Sequence, residues 1–279
     1  MSFLEIHRGE APLVVSMPHT GTEIPAGIES RLASPWLGRK DADWWVHKLY
    51  DFVPGLGATS LRTTISRTVI DVNRDPSGAS LYPGQNTTEL CPTTTFDGEA
   101  LYGAGLAPSE SEIAERRARY FAPYHTALQT EIERLKARHD RVVLWEAHSI
   151  RSVIPRLFDG ELSHLNFGTN NGVTCSPDLA KAIERDIAGS DPAYSYVFDG
   201  RFKGGWTTRH YGQPPRGVYA VQLELSCRTY MREPAGAVNE ANWPVEYDPQ
   251  FAGPLRRLLH RMLKTCITFA NETHHAAPR

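Results

Sequence analysis

Clustered cysteines, long apolar runs and a strong net charge are all missing from this chain of 279 residues. Its four cysteines lie far apart without C-x-x-C spacing, which argues against a zinc knuckle and a disulfide framework. No apolar run approaches the roughly 20 residues of a membrane span, and the first residues lack the basic and apolar regions of a signal peptide. We therefore expect a cytoplasmic protein that has no membrane partner.

Several large functional classes are also disfavoured. The net charge of −2 gives no concentrated basic face for nucleic acid. Neither a P-loop nor a G-x-G-x-x-G turn is present, so nucleotide use is not expected, and the absence of a G-x-S-x-G elbow argues against a serine hydrolase. The composition, 41% hydrophobic and 22% charged, is that of a globular protein. Without a clear linker, we predict a single α/β domain over residues 1–279.

Short β-rich runs alternate with helical runs along the chain. The predicted strands lie at 11–17, 58–65 and 68–72, from Val142 onward, and from Tyr219 onward. One helix is predicted at 42–52 and another from Pro254 onward. Two more are predicted after the capping residues Ser109 and Ser176, and the helix after Ser109 should have a kink at Pro123. This alternation predicts a three-layer α/β/α fold with a mixed, largely parallel central sheet.

Two predicted strands end in a histidine, and a third carries a carboxylate among apolar residues. His19 follows the first of these strands, His148 ends the second, and Glu224 interrupts the third. Since ligands collect at the carboxyl ends of strands in open α/β sheets, we expect these side chains to meet there. Glu146 shares one side of the extended strand with His148 and could ligate with it or orient it.

Imidazole and carboxylate groups together suit a catalytic metal, which needs about three protein ligands and an open position. His19 and His148 supply two ligands, and Asp43 or Glu23 could supply the third. Other interpretations remain open: His19 as a loop histidine bonded to the backbone, and Asp43 as a helix-start carboxylate that interacts with the helix dipole. The predicted cofactor is a divalent metal, with zinc as the expected ion.

Glu224 and a set of arginines complete the candidate site. An unpaired buried carboxylate would cost several kcal/mol, so Glu224 should lie near a cation, either as general base beside the metal or in a salt bridge to Arg216 or Arg228. The guanidinium fork suits bidentate contact with a carboxylate. The candidate substrate-binding residues are therefore Arg67, Asn73, Arg74 and Arg209. They indicate a small dicarboxylic substrate.

Four motifs resemble those of the N-formylglutamate deformylase family, amidohydrolases that end one bacterial route of histidine degradation. They are SMPHTGTEIP at 16–25, SRTVIDVNR at 66–74, SLYPGQNTTELCP at 80–92 and GGWTTRHYG at 204–212. The resemblance covers nearly the whole chain. It implies metal-dependent hydrolysis of N-formyl-L-glutamate, and the nearest alternative is a related N-acyl amino acid deacylase. A non-catalytic dicarboxylate-binding module is the more distant one.

That family is similar in turn to the zinc carboxypeptidase and aspartoacylase group, which implies a phosphorylase/hydrolase-like, zinc exopeptidase-like fold. The Asn-Arg pair that grips the substrate carboxylate in that group matches Asn73 and Arg74. Its later histidine ligand matches His148, and its catalytic glutamate matches Glu224. The His-x-x-Glu ligand pair of the group is absent, because residue 22 is threonine. The third ligand therefore stays open between Asp43 and Glu23.

Overall fold

A seven-stranded mixed sheet forms the centre of the protein, as seen in a computed structural model that describes residues 2–79, 84 and 87–272. The strands are β1 (Leu4–His7), β2 (Leu13–Met17), β3 (Thr59–Thr63), β4 (Val142–Ile150), β5 (Leu165–Gly168), β6 (Tyr196–Phe198) and β7 (Val218–Ser226). Their order across the sheet is β1-β3-β2-β4-β7-β5-β6. The pairs β2–β3, β2–β4, β4–β7 and β5–β6 are parallel, whereas β1–β3 and β5–β7 are antiparallel.

Helices cover both faces of this sheet. They are α1 (Ala26–Glu29), α2 (Leu37–Lys40), α3 (Val46–Leu49), α4 (Glu110–Arg116), α5 (Ala122–Lys136), α6 (Pro177–Ala188), α7 (Trp206–Tyr211) and α8 (Pro249–Asn271). Short 3-10 turns span Val53–Leu56, Pro214–Arg216 and Cys227–Thr229. No helix in the described ranges is both long and apolar enough to cross a bilayer.

Alternate residues of the central strands enter two separate hydrophobic cores. Trp145 of β4 packs with α3, α6 and α8 on one face, whereas its neighbour Leu144 packs with α5 on the other. Every residue of β2 and β4 is buried, as expected for parallel strands covered on both faces. The predicted α/β fold with a mixed, largely parallel sheet is confirmed.

Three predicted elements differ from the structure. The helix predicted at 42–52 shrinks to Val46–Leu49, because Trp45 has a left-handed φ of 65° and ends any helix before it. The strand predicted at 68–72 is instead a series of turns, with Val69 N–H bonded to the Ser66 carbonyl. The last helix begins at Pro249 rather than Pro254, because the Asp248 side chain caps it there.

A π-helical turn, Arg117–Phe121, lies between α4 and α5, just before Pro123, where the sequence predicts a kink. Proline removes a backbone donor from the helical ladder, and one-turn π segments accommodate such interruptions. The predicted capping residues Ser109 and Ser176 do cap α4 and α6, since each side chain accepts a hydrogen bond from a first-turn backbone N–H.

Gly21 closes the turn that follows β2, where the chain passes close to the end of β3. A Cβ at residue 21 would lie 2.4 Å from the Ile65 carbonyl oxygen and 2.4 Å from the Thr64 carbonyl carbon. Both atoms belong to the backbone, so they cannot move aside without displacing that segment. The close approach therefore requires glycine.

We expect Gly21→Ala to lower the free energy of unfolding by about 1–3 kcal/mol, because the added methyl group overpacks a backbone contact. Urea denaturation measures the change. Gly27→Ala in α1 is the matched control, since a Cβ there meets no atom within 4 Å and alanine favours helix. Equal unfolding midpoints for the two variants would contradict the prediction.

Candidate active site

The carboxyl ends of three neighbouring parallel strands bring the predicted site residues together. His19 follows β2 directly, His148 lies near the end of β4, and Glu224 lies near the end of β7. His148 and Glu224 are direct neighbours in the β4–β7 register, so their side chains leave the sheet on the same side. All three are buried. The predicted convergence at this edge is thus present in the structure.

Asp43 completes a cluster of possible metal ligands. One nitrogen or oxygen atom each from His19, Asp43 and His148 lie within 4.8 Å of one another. Asp43 reaches the cluster because its backbone N–H donates to the His19 carbonyl at 2.9 Å. Its Oδ2 lies 3.0 Å from His148 Nδ1 and 3.8 Å from His19 Nδ1. Asp43 does not begin a helix here, which removes the alternative of a helix-dipole carboxylate.

Two further buried carboxylates lie next to the Nε2 atoms of the histidine rings. Asp71 Oδ1 accepts a hydrogen bond from His19 Nε2 at 2.7 Å. Glu146 Oε1 lies 3.5 Å from His148 Nε2, and its other oxygen accepts from Thr208 Oγ1 at 2.6 Å. In both rings Nδ1 therefore faces Asp43. Carboxylates that bind the outer nitrogen of a ligating histidine are a regular feature of metal sites.

The charges of these groups perturb one another. Burial and the nearby Arg67 charge lower the pKa of His19, against the opposing effect of Asp71. Burial also lowers the pKa of His148, but hydrogen bonds to Asp43 and Glu146 outweigh it and raise that pKa to about 10. Burial would raise the pKa of Asp71, yet His19, Arg67 and Arg74 hold it well below its usual range. These shifts favour a negatively charged Asp71 and a positively charged His148.

Two polar atoms of this cluster have no hydrogen-bond partner in the part of the chain that the structure describes. Within the described residues, His19 Nδ1 and Asp43 Oδ1 are buried without a hydrogen-bond partner. Buried polar atoms without partners are rare in folded proteins. Two imidazole nitrogens and a carboxylate are also the donor set of many transition-metal sites. The residues present therefore fit a divalent metal ion.

Glu23, the alternative third ligand, lies outside this cluster. Its side chain is exposed and accepts a hydrogen bond from Thr64 Oγ1 at 2.9 Å. The structure thus brings Asp43, and not Glu23, to the two histidines. Glu23 is much closer to His19 in sequence than Asp43 is. The distance along the chain did not predict which carboxylate reaches the histidines, because the chain turns sharply at 43–45.

Glu224 is fixed by a neighbour on its own strand. Gln222 Nε2 donates to Glu224 Oε2 at 3.3 Å, and Gln222 Oε1 accepts from the Gly205 backbone N–H at 2.7 Å. The backbone contact sets the amide orientation, so that its NH₂ group faces the carboxylate. Burial raises the pKa of Glu224 to about 7, although the positive charge of His148 opposes the shift. A carboxylate that titrates near neutrality can both accept and return a proton.

The salt bridges considered for Glu224 are not formed with either candidate arginine. Arg228 instead contacts His164 Nε2 at 2.6 Å and the Leu162 carbonyl at 2.7 Å. Arg216 donates to Gln213 Oε1 at 3.2 Å. Among the described residues, Gln222 is the side chain that donates a hydrogen bond to the Glu224 carboxylate.

Asn73 and Arg74 lie beside the histidines. Asn73 Nδ2 is 3.1 Å from His148 Nε2, and its Oδ1 accepts from the Thr207 backbone N–H at 3.0 Å. Arg74 donates from Nε and Nη2 to the carbonyl and hydroxyl oxygens of Thr88, at 3.1 and 3.0 Å. Both residues line a cavity of about 70 Å³.

The other two candidate arginines differ in position. Arg67 lines the same cavity, where its guanidinium donates to Asp71 Oδ2 at 2.7 Å and lies 4.8 Å from the Phe96 ring. Arg209 lies in α7 and donates to the Gly204 carbonyl at 2.9 Å. Among the described residues, those that line the cavity include Arg67 but not Arg209.

Asp71 and Gln222 are site residues that our sequence analysis did not single out. A signal for each was present: Asp71 lies in the apolar run TVIDV, and Gln222 shares one side of its strand with Glu224. A polar residue in a buried run needs a partner, and both residues find it in this site. Residues 80–83, 85 and 86 of the motif at 80–92 lie outside the described residues.

The sequence matches the family model described as N-formylglutamate amidohydrolase over residues 11–231. It is 42% identical to an N-formylglutamate deformylase from Pseudomonas aeruginosa, over 97% of this chain and 98% of that protein. It is 40% identical to an N-formylglutamate deformylase from Pseudomonas putida, with the same shares covered. Both matches to the Pseudomonas proteins span almost all of the two chains compared.

Two solved structures share the fold. The N-formylglutamate amidohydrolase of Ralstonia eutropha JMP134 aligns with a TM-score of 0.77 at 24% identity, covering 97% of this chain and 99% of that one. The gene product Atu2144 of Agrobacterium tumefaciens aligns with a TM-score of 0.69 at 17% identity, covering 95% and 94%. The family match and the two Pseudomonas relatives together show that this chain belongs to the N-formylglutamate amidohydrolase family.

Proposed function

We propose that this protein hydrolyses N-formyl-L-glutamate to formate and L-glutamate with the help of a divalent metal, expected to be zinc. The reaction cleaves the formyl C–N bond and adds water across it. The observation that carries the proposal is the meeting of His19, Asp43, His148 and Glu224 at one cavity, in a chain whose relatives are N-formylglutamate deformylases. We assign the reaction to the end of a cytoplasmic route of histidine degradation.

His19, Asp43 and His148 would hold the metal, with Asp71 and Glu146 orienting the two imidazoles. A bound divalent metal supplies Lewis-acid chemistry and lowers the pKa of water to about 7. The orienting carboxylates keep each ring in position and increase its basicity. This arrangement supports the metal assignment, because each imidazole is presented through Nδ1.

Glu224 acts as the general base and then as the general acid. Its carboxylate accepts the proton of the attacking water and later delivers a proton to the departing glutamate nitrogen. The hydrogen bond from Gln222 holds one carboxylate oxygen, which leaves the other for the proton transfer. The pKa near 7 supports both roles in turn.

Asn73 and Arg74 bind a substrate carboxylate close to the reacting amide. Asn73 is held between the His148 ring and the Thr207 backbone, so the position of its amide is fixed. Arg74 is held by Thr88 and lies on the same cavity wall. A formyl group is small, so we expect the part of the cavity that receives it to be tight.

Formate release from N-formylglutamate tests the proposed function directly. We expect the chelated protein to be inactive and zinc to restore turnover when metals are added back one at a time. N-acetylglutamate should be hydrolysed at least roughly tenfold more slowly, because one extra methyl group in a tight pocket carries about that cost. Hydrolysis of neither substrate by the metal-loaded protein would refute the proposal, and full activity after chelation would remove the metal from it.

The three proposed ligands should be needed for metal retention. We expect His148→Ala to lose stoichiometric metal and at least ~10²-fold in kcat/KM, since it removes one of three ligands. Elemental analysis after dialysis reads metal content independently of activity. Glu23→Gln is the matched control and should keep full metal content, because Glu23 lies outside the cluster. Metal loss in the control but not in His148→Ala would reverse the assignment.

Glu224→Gln should separate metal binding from proton transfer. The amide keeps the size of the side chain but cannot accept a proton, so we expect kcat to fall by at least ~10² with stoichiometric metal retained. Steady-state assays of formate release measure kcat, and elemental analysis verifies the metal. Near-normal turnover in this variant would show that Glu224 is not the base.

A further inference from the structure

The cavity has an apolar side that the reaction itself does not need. Its apolar lining consists of Phe96, Ile150, Leu157 and Phe202. The same four side chains belong to a small hydrophobic cluster that is separate from the two cores of the sheet. This cluster lies beyond the end of β4, where it suits the methylene groups of an extended substrate side chain.

Arg201 lies at this apolar side and also lines the cavity. Its Nε donates to the Leu157 carbonyl at 2.9 Å, and its guanidinium carbon lies 5.4 Å from the centre of the Phe202 ring. The side chain is half-buried. These contacts hold a cation against an apolar surface, where its charge is less screened than in bulk water.

The backbone that carries Arg201 is also fixed. Asp199, two residues earlier, has a left-handed φ of 51°, and its carboxylate accepts hydrogen bonds from the backbone N–H and hydroxyl of Thr169. These bonds join the segment after β6 to the end of β5. Arg201 is therefore positioned before substrate arrives, which reduces the entropy lost on binding.

The other arginines of the cavity are linked to the histidines through neighbouring residues. Arg67 is bonded to Asp71, the carboxylate that orients His19. Arg74 adjoins Asn73, whose amide lies 3.1 Å from His148. In an N-acyl glutamate the α-carboxylate is attached to the carbon next to the reacting nitrogen, whereas the γ-carboxylate is two methylene groups further away. The two carboxylates therefore need cations at different distances from the metal ligands.

We propose that Arg201 binds the γ-carboxylate of the substrate, with the side-chain methylenes against Leu157 and Phe202, and so determines the preference for glutamate. The α-carboxylate then belongs to Asn73 and Arg74. This inference rests on the proposed hydrolysis of an N-formyl amino acid, and it adds which residue selects the side chain. Arg201 makes a charge-assisted contact that a neutral side chain of the same length cannot satisfy.

The test compares N-formylglutamate with its two monoamides, N-formylglutamine and N-formylisoglutamine. In Arg201→Ala, kcat/KM for N-formylglutamate should fall by about 10- to 100-fold, the usual cost of losing a hydrogen bond to a charged group. For N-formylglutamine, which lacks the γ-carboxylate, it should change by less than about threefold on the same argument. In Arg201→Ala the ratio of kcat/KM between N-formylglutamate and N-formylglutamine should therefore fall. The ratio between N-formylglutamate and N-formylisoglutamine should stay as in the wild-type protein.

Arg201→Lys keeps the charge but not the fork, so its loss should be intermediate. Arg185→Ala, on the exposed side of α6, is the matched control and should retain wild-type discrimination. The proposal would be overturned if Arg201→Ala still preferred N-formylglutamate to N-formylglutamine as strongly as the wild-type protein does. It would also be overturned if the variant lost its preference for N-formylglutamate over N-formylisoglutamine and kept the other preference. Turnover of N-formylglutamine in the same variant shows that it is folded.

Failure of the proposed hydrolysis would be recognised separately, as absence of wild-type turnover. Calorimetric titration with L-glutamate and L-glutamine then tests Arg201 without any reaction. We expect wild-type protein to bind glutamate more tightly than glutamine and Arg201→Ala to bind both alike. Equal preference for glutamate in both proteins would overturn the assignment of Arg201.

Discussion

Buried negative charge at the carboxyl edge of the sheet is the constraint on which this site depends. Asp43, Asp71, Glu146 and Glu224 are all buried within a few side chains of one another. Isolated carboxylates in such a place would be protonated or would destabilise the fold. Arg67 and His148, whose pKa is raised to about 10, compensate part of this charge, and a divalent cation would compensate more. The charges that would take part in the proposed reaction therefore also affect the stability of the fold.

The sequence predicted the sheet and its reactive edge because both depend on short-range patterns. Continuous apolar runs ending in His19 and His148, and a carboxylate inside a third run, were sufficient to predict the convergence that the structure has. The choice between Asp43 and Glu23 depended on a left-handed residue at Trp45 and one backbone hydrogen bond. Neither can be read from periodicity, since both arise from contacts between segments.

The arginines show a second limit of the sequence. Residue type suggested Arg209, whereas the cavity is lined by Arg201, eight positions earlier in the same connection between β6 and β7. Asp199, two residues before Arg201, bonds to Thr169 and so joins the start of this connection to the end of β5. The roles of both arginines, like those of the metal ligands, stay predictions until substrate and metal binding are measured.

The backbone hydrogen bond from Asp43 to the His19 carbonyl also has a kinetic consequence. It joins two of the three proposed ligands through main-chain atoms, and the third ligand stands on a rigid central strand. The three proposed ligands are thus held by main-chain contacts and by a central strand. Exchange of the ion with solvent would then be limited by passage through the narrow cavity and by ligand release, and chelators should extract it while the protein stays folded.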